Sequence, residues 1–142
     1  MINYTDESAA LPKYAFYSLF SETKIHDAHE LILPDSVSER CYNSMFNGCT
    51  SLTTAPALPA TSLANSCYSY MFSGCTSLTT APELPATSLG MYCYQVMFNN
   101  CKSLTTAPSL PATSLAFGCY NGMFNSCTSL TIAPELPATR LD

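Results

Sequence analysis

Cys67-Tyr68-Ser69-Tyr70-Met71-Phe72-Ser73-Gly74-Cys75-Thr76-Ser77-Leu78-Thr79-Thr80-Ala81-Pro82-Glu83-Leu84-Pro85-Ala86-Thr87-Ser88-Leu89-Gly90-Met91-Tyr92 is one copy of a 26-residue unit. Further copies open at Cys41, Cys93 and Cys119, with no insertion or deletion between them. Each begins Cys-Tyr-x-x-Met-Phe-x-x-Cys and continues x-Ser-Leu-Thr-x-Ala-Pro-x-Leu-Pro-Ala-Thr-x-Leu. A constant period makes each copy one coil of a solenoid, with equivalent residues stacked in columns along its axis. The expected organisation is an N-terminal cap over 1–40 and four repeats over 41–66, 67–92, 93–118 and 119–142.

The cap holds a degenerate copy. Phe16, Leu19 and Phe20 precede Tyr42, Met45 and Phe46 by 26 residues. Ile25, Ala28 and Leu31 keep the spacing of Leu52, Ala55 and Leu58 after a one-residue deletion. A charged, irregular first coil closes the apolar end of such a stack against water. No equivalent cap is read at the other end, which leaves three readings of the last coil: exposed, self-associating, or covered by further sequence.

Within one unit, the apolar residues of Cys67–Phe72 are bunched without alternation, followed by Gly74. That pattern predicts a short helix or helical turn. Leu78-Thr79-Thr80-Ala81 predicts a short strand stopped at Pro82, which has no N–H for a ladder. Pro85-Ala86-Thr87 turns the chain back. The inward set is expected to be Cys67, Met71, Phe72, Cys75, Leu78, Ala81, Leu84 and Leu89, a core no single coil could bury.

The run Met71-Phe72-Ser73-Gly74-Cys75-Thr76-Ser77-Leu78 resembles the repeat core of the BspA-like leucine-rich repeat family, as do Phe46–Leu52, Phe98–Leu104 and Phe124–Leu130. The resemblance spans residues 16 to 142. Two details depart from it: Ala81-Pro82-Glu83-Leu84-Pro85 stands where the family commonly has Ile-Pro, and the unit opens on cysteine instead of an aliphatic residue. The resemblance implies a right-handed leucine-rich-repeat superhelix, an α/β repeat fold with one short strand and one short helix or helical turn per coil. It also implies a bacterial surface or phage-associated protein acting as an adhesin or binding module, placed at the cell surface or outside the cell.

Charge narrows the partners. Residues 1–40 carry seven of the ten acidic and three of the five basic residues, and the net charge is −5. A neutral to acidic surface offers no Lys/Arg track for phosphate backbones, so nucleic acid is not an expected partner. Apolar runs are too short for a membrane-spanning helix, so no membrane insertion is expected. Met1-Ile2-Asn3-Tyr4-Thr5-Asp6-Glu7 lacks the basic start and apolar stretch of a secretory signal. Asn3-Tyr4-Thr5 is a glycosylation sequon with little weight.

No chemistry stands out. The eight cysteines fall at Cys-x7-Cys and at the 26-residue period, never as Cys-x-x-Cys, so no metal site is read from them. Pairing of Cys41 with Cys67 and of Cys93 with Cys119 is conceivable if the coils lie close enough. Reduced core thiols are the preferred reading, since buried cysteine behaves as a small hydrophobe. His26-Asp27-Ala28-His29-Glu30 is the one cluster of catalytic residue types. Ile25, Ala28 and Leu31 take the inward slots there, which leaves the polar four on a solvated outer face. No serine has a base and an orienting acid at a matching place. The Pro82-x-x-Pro85 spacing, repeated in every coil, reads as a structural turn and not as a proline-rich ligand. The expectation is therefore no enzyme, no catalytic residue, no metal and no cofactor.

Candidate partner sites come from two features. Thr53, Thr79, Thr105 and Thr131 form a column beside Thr54, Thr80, Thr106 and Ile132. Threonine arrays occur on ice- or crystal-binding surfaces, but an extended strand points neighbouring residues to opposite sides and would leave one outward Thr per coil. The second feature is variation between copies. Ala64-Asn65-Ser66 becomes Gly90-Met91-Tyr92 and Ala116-Phe117-Gly118, and Ser44 becomes Tyr70, Val96 and Gly122. Met91, Tyr92 and Phe117, with Tyr70 and Val96, are expected to form an exposed apolar patch for a protein or cell-surface ligand. The strand face, with Ala57, Glu83, Ser109 and Glu135, is the other candidate. The alternative to a binding module is a structural spacer without a ligand of its own.

Overall fold

Between its two cysteines each unit turns repeatedly instead of winding into a helix. The computed structural model describes residues 11–141, and among them no helix is formed. In the unit that opens at Cys41 the N–H groups of Cys41, Asn43, Met45, Asn47 and Cys49 donate to the carbonyls three residues back, at 3.0–3.2 Å. The intervening N–H groups point away from their own unit. Those of Arg40, Tyr42, Ser44, Phe46 and Gly48 donate to Asn65, Cys67, Ser69, Met71 and Ser73, at 2.8–3.1 Å. Alternate residues thus bond within the turn run and across to the next unit, so every buried N–H of the run has a partner.

This geometry needs left-handed backbone at every fourth residue. Arg40, Ser44 and Gly48 have φ of 55°, 59° and 72°. Ser66, Tyr70 and Gly74 repeat the pattern, then Tyr92, Val96 and Asn100, then Gly118, Gly122 and Ser126. Each occupies the third position of a turn, where a type II turn demands φ above zero. A left-handed residue in every four cannot continue an α-helix, so the helix expected over Cys67–Phe72 gives way to stacked turns. Val96 (φ 57°) is β-branched, a residue type that avoids this region. The hydrogen bond from its N–H to Asn121, 2.8 Å, helps hold it there.

Strands are equally reduced. The expected strand at Leu78–Ala81 is present only as an isolated parallel bridge between Thr80 and Thr106, with others at Asp27–Thr54 and Ser62–Ser88. Among the described residues the strands proper are β1 (Ser114–Leu115) and β2 (Arg140–Leu141), which pair in parallel with Ser114 opposite Arg140. The prolines on either side of the Leu in Pro-x-Leu-Pro remove the N–H groups that would extend these bridges.

Columns of equivalent side chains fill the interior. The Phe20, Phe46, Phe72, Phe98 and Phe124 rings stack with centroids 5.4–5.8 Å apart. Phe16, Tyr42, Tyr68, Tyr94 and Tyr120 form a parallel column at 5.4–6.0 Å. Cys67, Met71, Phe72, Cys75, Leu78 and Leu84 are buried as expected, and Ala81 and Leu89 are half-buried against them. The Tyr68 column, absent from the expected inward set, is as deeply buried as the Phe column. The degenerate copy joins the same stack. Phe16 lies on Tyr42 and Phe20 on Phe46, while the N–H groups of Phe16 and Phe20 donate to Cys41 and Met45.

Candidate functional site

The variable positions gather where one turn run hands over to the next. Tyr92 takes a left-handed position, and its N–H donates to the Phe117 carbonyl at 3.0 Å. Its ring meets that of Phe117 edge-on, with centroids 5.4 Å apart at 90°. A Cβ on Gly118 would stand 2.5 Å from the Tyr92 ring, so glycine there leaves room for the ring to lie against backbone. Met91 holds the place of Phe117 one unit earlier and is fixed by a hydrogen bond from its N–H to the Asn65 side-chain oxygen, 2.9 Å. Met91 is 47% and Phe117 63% exposed, so the cluster presents apolar side chains to solvent.

Tyr70 and Val96 occupy the next left-handed position, four residues along the run. Tyr70 is exposed and Val96 half-buried, its Cγ2 lying 3.5 Å from where a Gly122 Cβ would be. The structure thus brings Met91, Tyr92 and Phe117 together and sets Tyr70 and Val96 beside them along the turns. An open hollow of about 440 Å³, lined by Leu115–Asn121, continues from Phe117.

The threonines lie in a different stretch of the unit. Thr53, Thr79, Thr105 and Thr131 are exposed, and so are Thr54, Thr80 and Thr106. Adjacent threonines therefore share the outside, contrary to the alternation expected of a strand, because no strand forms there. Several hydroxyls are already engaged: Thr53 Oγ1 donates to the His26 carbonyl at 2.9 Å and Thr105 Oγ1 to that of Thr79 at 3.4 Å. Threonine at this place ties one unit to the one before.

His26, Asp27, His29 and Glu30 stand on the outer face, with Ala28 buried between them and Ile25 and Leu31 half-buried. Asp27 lies 2.8 Å from His29 Nδ1, and Glu30 lies 3.0 Å from Nε2. The hydrogen bond and charge of Asp27 raise the His29 pKa, while the His29 backbone N–H, donating to Asp27 at 2.9 Å, and then the ring lower that of Asp27. Both ring nitrogens of His29 are thereby committed to carboxylates. Among the described residues no group of three or more His, Cys, Asp or Glu side chains is placed to hold a metal ion.

All eight cysteines are buried free thiols. Burial pushes Cys93 and Cys101 up to about 12 and raises Cys41, Cys67, Cys75, Cys119 and Cys127 as well. A thiol held protonated is a poor nucleophile and a poor metal ligand. The second cysteine of each unit has a structural task that sequence reasoning missed. Cys49, Cys75, Cys101 and Cys127 donate to the carbonyls of Phe20, Phe46, Phe72 and Phe98 in the preceding unit, at 2.9–3.2 Å.

Among the described residues, no helix is long and apolar enough to cross a membrane. Comparison with protein-family models, with curated proteins and with solved structures finds no match to this chain.

Proposed function

We propose that this chain is a non-enzymatic binding module that engages a protein or cell-surface ligand through the Met91–Tyr92–Phe117 cluster, with Tyr70 and Val96 flanking it. In this reading the 26-residue units form a leucine-rich-repeat-like right-handed superhelix behind a cap over 1–40, in a bacterial surface or phage-associated protein. The observation that carries the proposal is the seat built for an aromatic pair, half-buried Tyr92 and exposed Phe117. Tyr92 rests on Gly118 and is braced by Phe117, while the equivalent positions one unit earlier are Ser66 and Met91. Rigid, amphipathic aromatics held ready in this way contribute contact area at little entropic cost, and Tyr is among the residues that dominate binding hot spots. The protonated thiols and the carboxylate-bound His29 support a role without catalysis.

A spacer without a ligand of its own is the second reading, favoured by the unit-to-unit hydrogen bonds that stiffen the stack. The triple variant Tyr70→Ala, Tyr92→Ala, Phe117→Ala separates the two in retention assays on host-cell or bacterial-surface extracts. Specific retention by the wild type and its loss in the variant, with native thiol protection intact, is the expected result. Equal retention by both would remove the patch, and no retention by either would leave the spacer.

A further inference from the structure

The two ends of the stack carry opposite backbone edges. In the unit before the last, the N–H groups of Tyr92, Tyr94, Val96, Phe98 and Asn100 donate to the following unit at 2.8–3.0 Å. Gly118, Tyr120, Gly122, Phe124 and Ser126 hold the same places in the last unit, and among the described residues their N–H groups meet no backbone acceptor. At the other end the receiving places belong to Lys13, Ala15, Tyr17, Leu19 and Ser21. Among the described residues their carbonyls receive no backbone donor. One end is an edge of donors and the other an edge of acceptors.

Apolar side chains follow the same division. Leu136 is 59% exposed, whereas Leu58, Leu84 and Leu110 at the equivalent place are buried. Leu19 is 54% exposed, whereas Met45, Met71 and Met97 are buried. The Phe20–Phe124 column ends half-buried at both faces. A two-fold dimer through the last unit would set donors against donors and leave all of them unpaired, which is costly once water is excluded.

We infer that a second copy of this chain docks head to tail, its first turn run (11–23) laid on the last turn run (118–126). The register is the one used between all neighbouring units: Phe124 N–H to the carbonyl of the second copy's Leu19, and Phe124 ring to the second copy's Phe20. Unlike faces meet in this contact, so it repeats instead of closing at two copies.

Two single-face variants test it, each at a side chain already exposed so that the fold is not asked to repack. Leu136→Lys blocks the last face and Leu19→Lys the first. In sedimentation velocity over rising concentration, the wild type should grow beyond a dimer, each variant alone should stay monomeric, and an equal mixture should form a one-to-one dimer and nothing larger. A wild type that stays monomeric, a variant that self-associates alone, or a mixture that stays monomeric would each overturn the inference. Hydrogen exchange of the Tyr120 and Phe124 amides gives a readout that needs no variant. Protection should rise with wild-type concentration, and concentration-independent exchange would count against the contact.

Discussion

The thiol of Cys101 donates to the carbonyl of Phe72, 3.1 Å away in the preceding unit. That carbonyl also accepts the N–H of Cys75 at 3.1 Å within its own turn. A carbonyl has two lone pairs, and cysteine is small and apolar enough to fill the second from within a packed core. The regular Cys column is thereby explained without redox or metal chemistry.

Thiol reactivity should follow position in the stack. Cys127 is 8% exposed and Cys119 3%, while the inner thiols are fully buried. Brief iodoacetamide treatment of the native protein near pH 8, read by peptide mass, should modify Cys127 first and leave Cys67, Cys75, Cys93 and Cys101 intact until the chain unfolds. Uniform modification would contradict the burial and raised thiol pKa values.

The left-handed positions and the close approaches should respond in opposite senses. Val96→Asn exchanges a β-branched residue for one that tolerates φ above zero and should stabilise by about 1 kcal/mol. Gly90→Ala should destabilise by about 1–3 kcal/mol, because a Cβ there would stand 2.6 Å from the Ala64 backbone. Urea midpoints at constant m-value report both changes.

Among the described residues, the buried tyrosine column carries hydroxyls with no hydrogen-bond partner at Tyr42, Tyr68 and Tyr120. Phe16 already stacks on Tyr42 in the same column at 5.4 Å, so a ring without the hydroxyl fits. Tyr68→Phe should therefore raise the unfolding free energy by about 1 kcal/mol, the usual cost of stranding a polar group. A loss of stability would reveal a partner for the hydroxyl.

The His29 imidazole should titrate above its ordinary value near 6.5, because Asp27 stabilises the charged ring. Stability from a raised histidine pKa is present below the ordinary value and fades as pH climbs through the raised one. Asp27, whose pKa is lowered, contributes above its ordinary carboxylate range and loses that contribution as pH falls through the lowered value. The pair thus acts between those limits, and its exposure keeps the effect small. Asp27→Asn should bring the His29 NMR titration back toward 6.5.

The period and the stacked columns were legible in the amino-acid order, because identical spacing places identical side chains over one another; of the expected exposed patch, Tyr92 and Val96 are half-buried. The turns were not. Met71-Phe72 beside Cys67-Tyr68 reads as a helical face by its apolar bunching. The opposing signal, a residue suited to φ above zero every fourth position, is clear in Gly48, Gly74, Asn100, Gly118 and Gly122. Tyr70, Tyr92 and Val96 mask it, since neighbouring units impose the left-handed backbone against their own preference. The thiol bonds and the seating of Tyr92 on Gly118 depend on contacts between units that residue types alone do not reveal.

Through-hydrogen-bond scalar couplings test the stacked-turn architecture most directly. The account predicts couplings from the Tyr70 amide to the Gln95 carbonyl and from the Phe72 amide to the Met97 carbonyl, the bonds seen at 2.9 and 3.0 Å. A coupling from the Phe72 amide to the Tyr68 carbonyl, the helical partner four residues back, would contradict it.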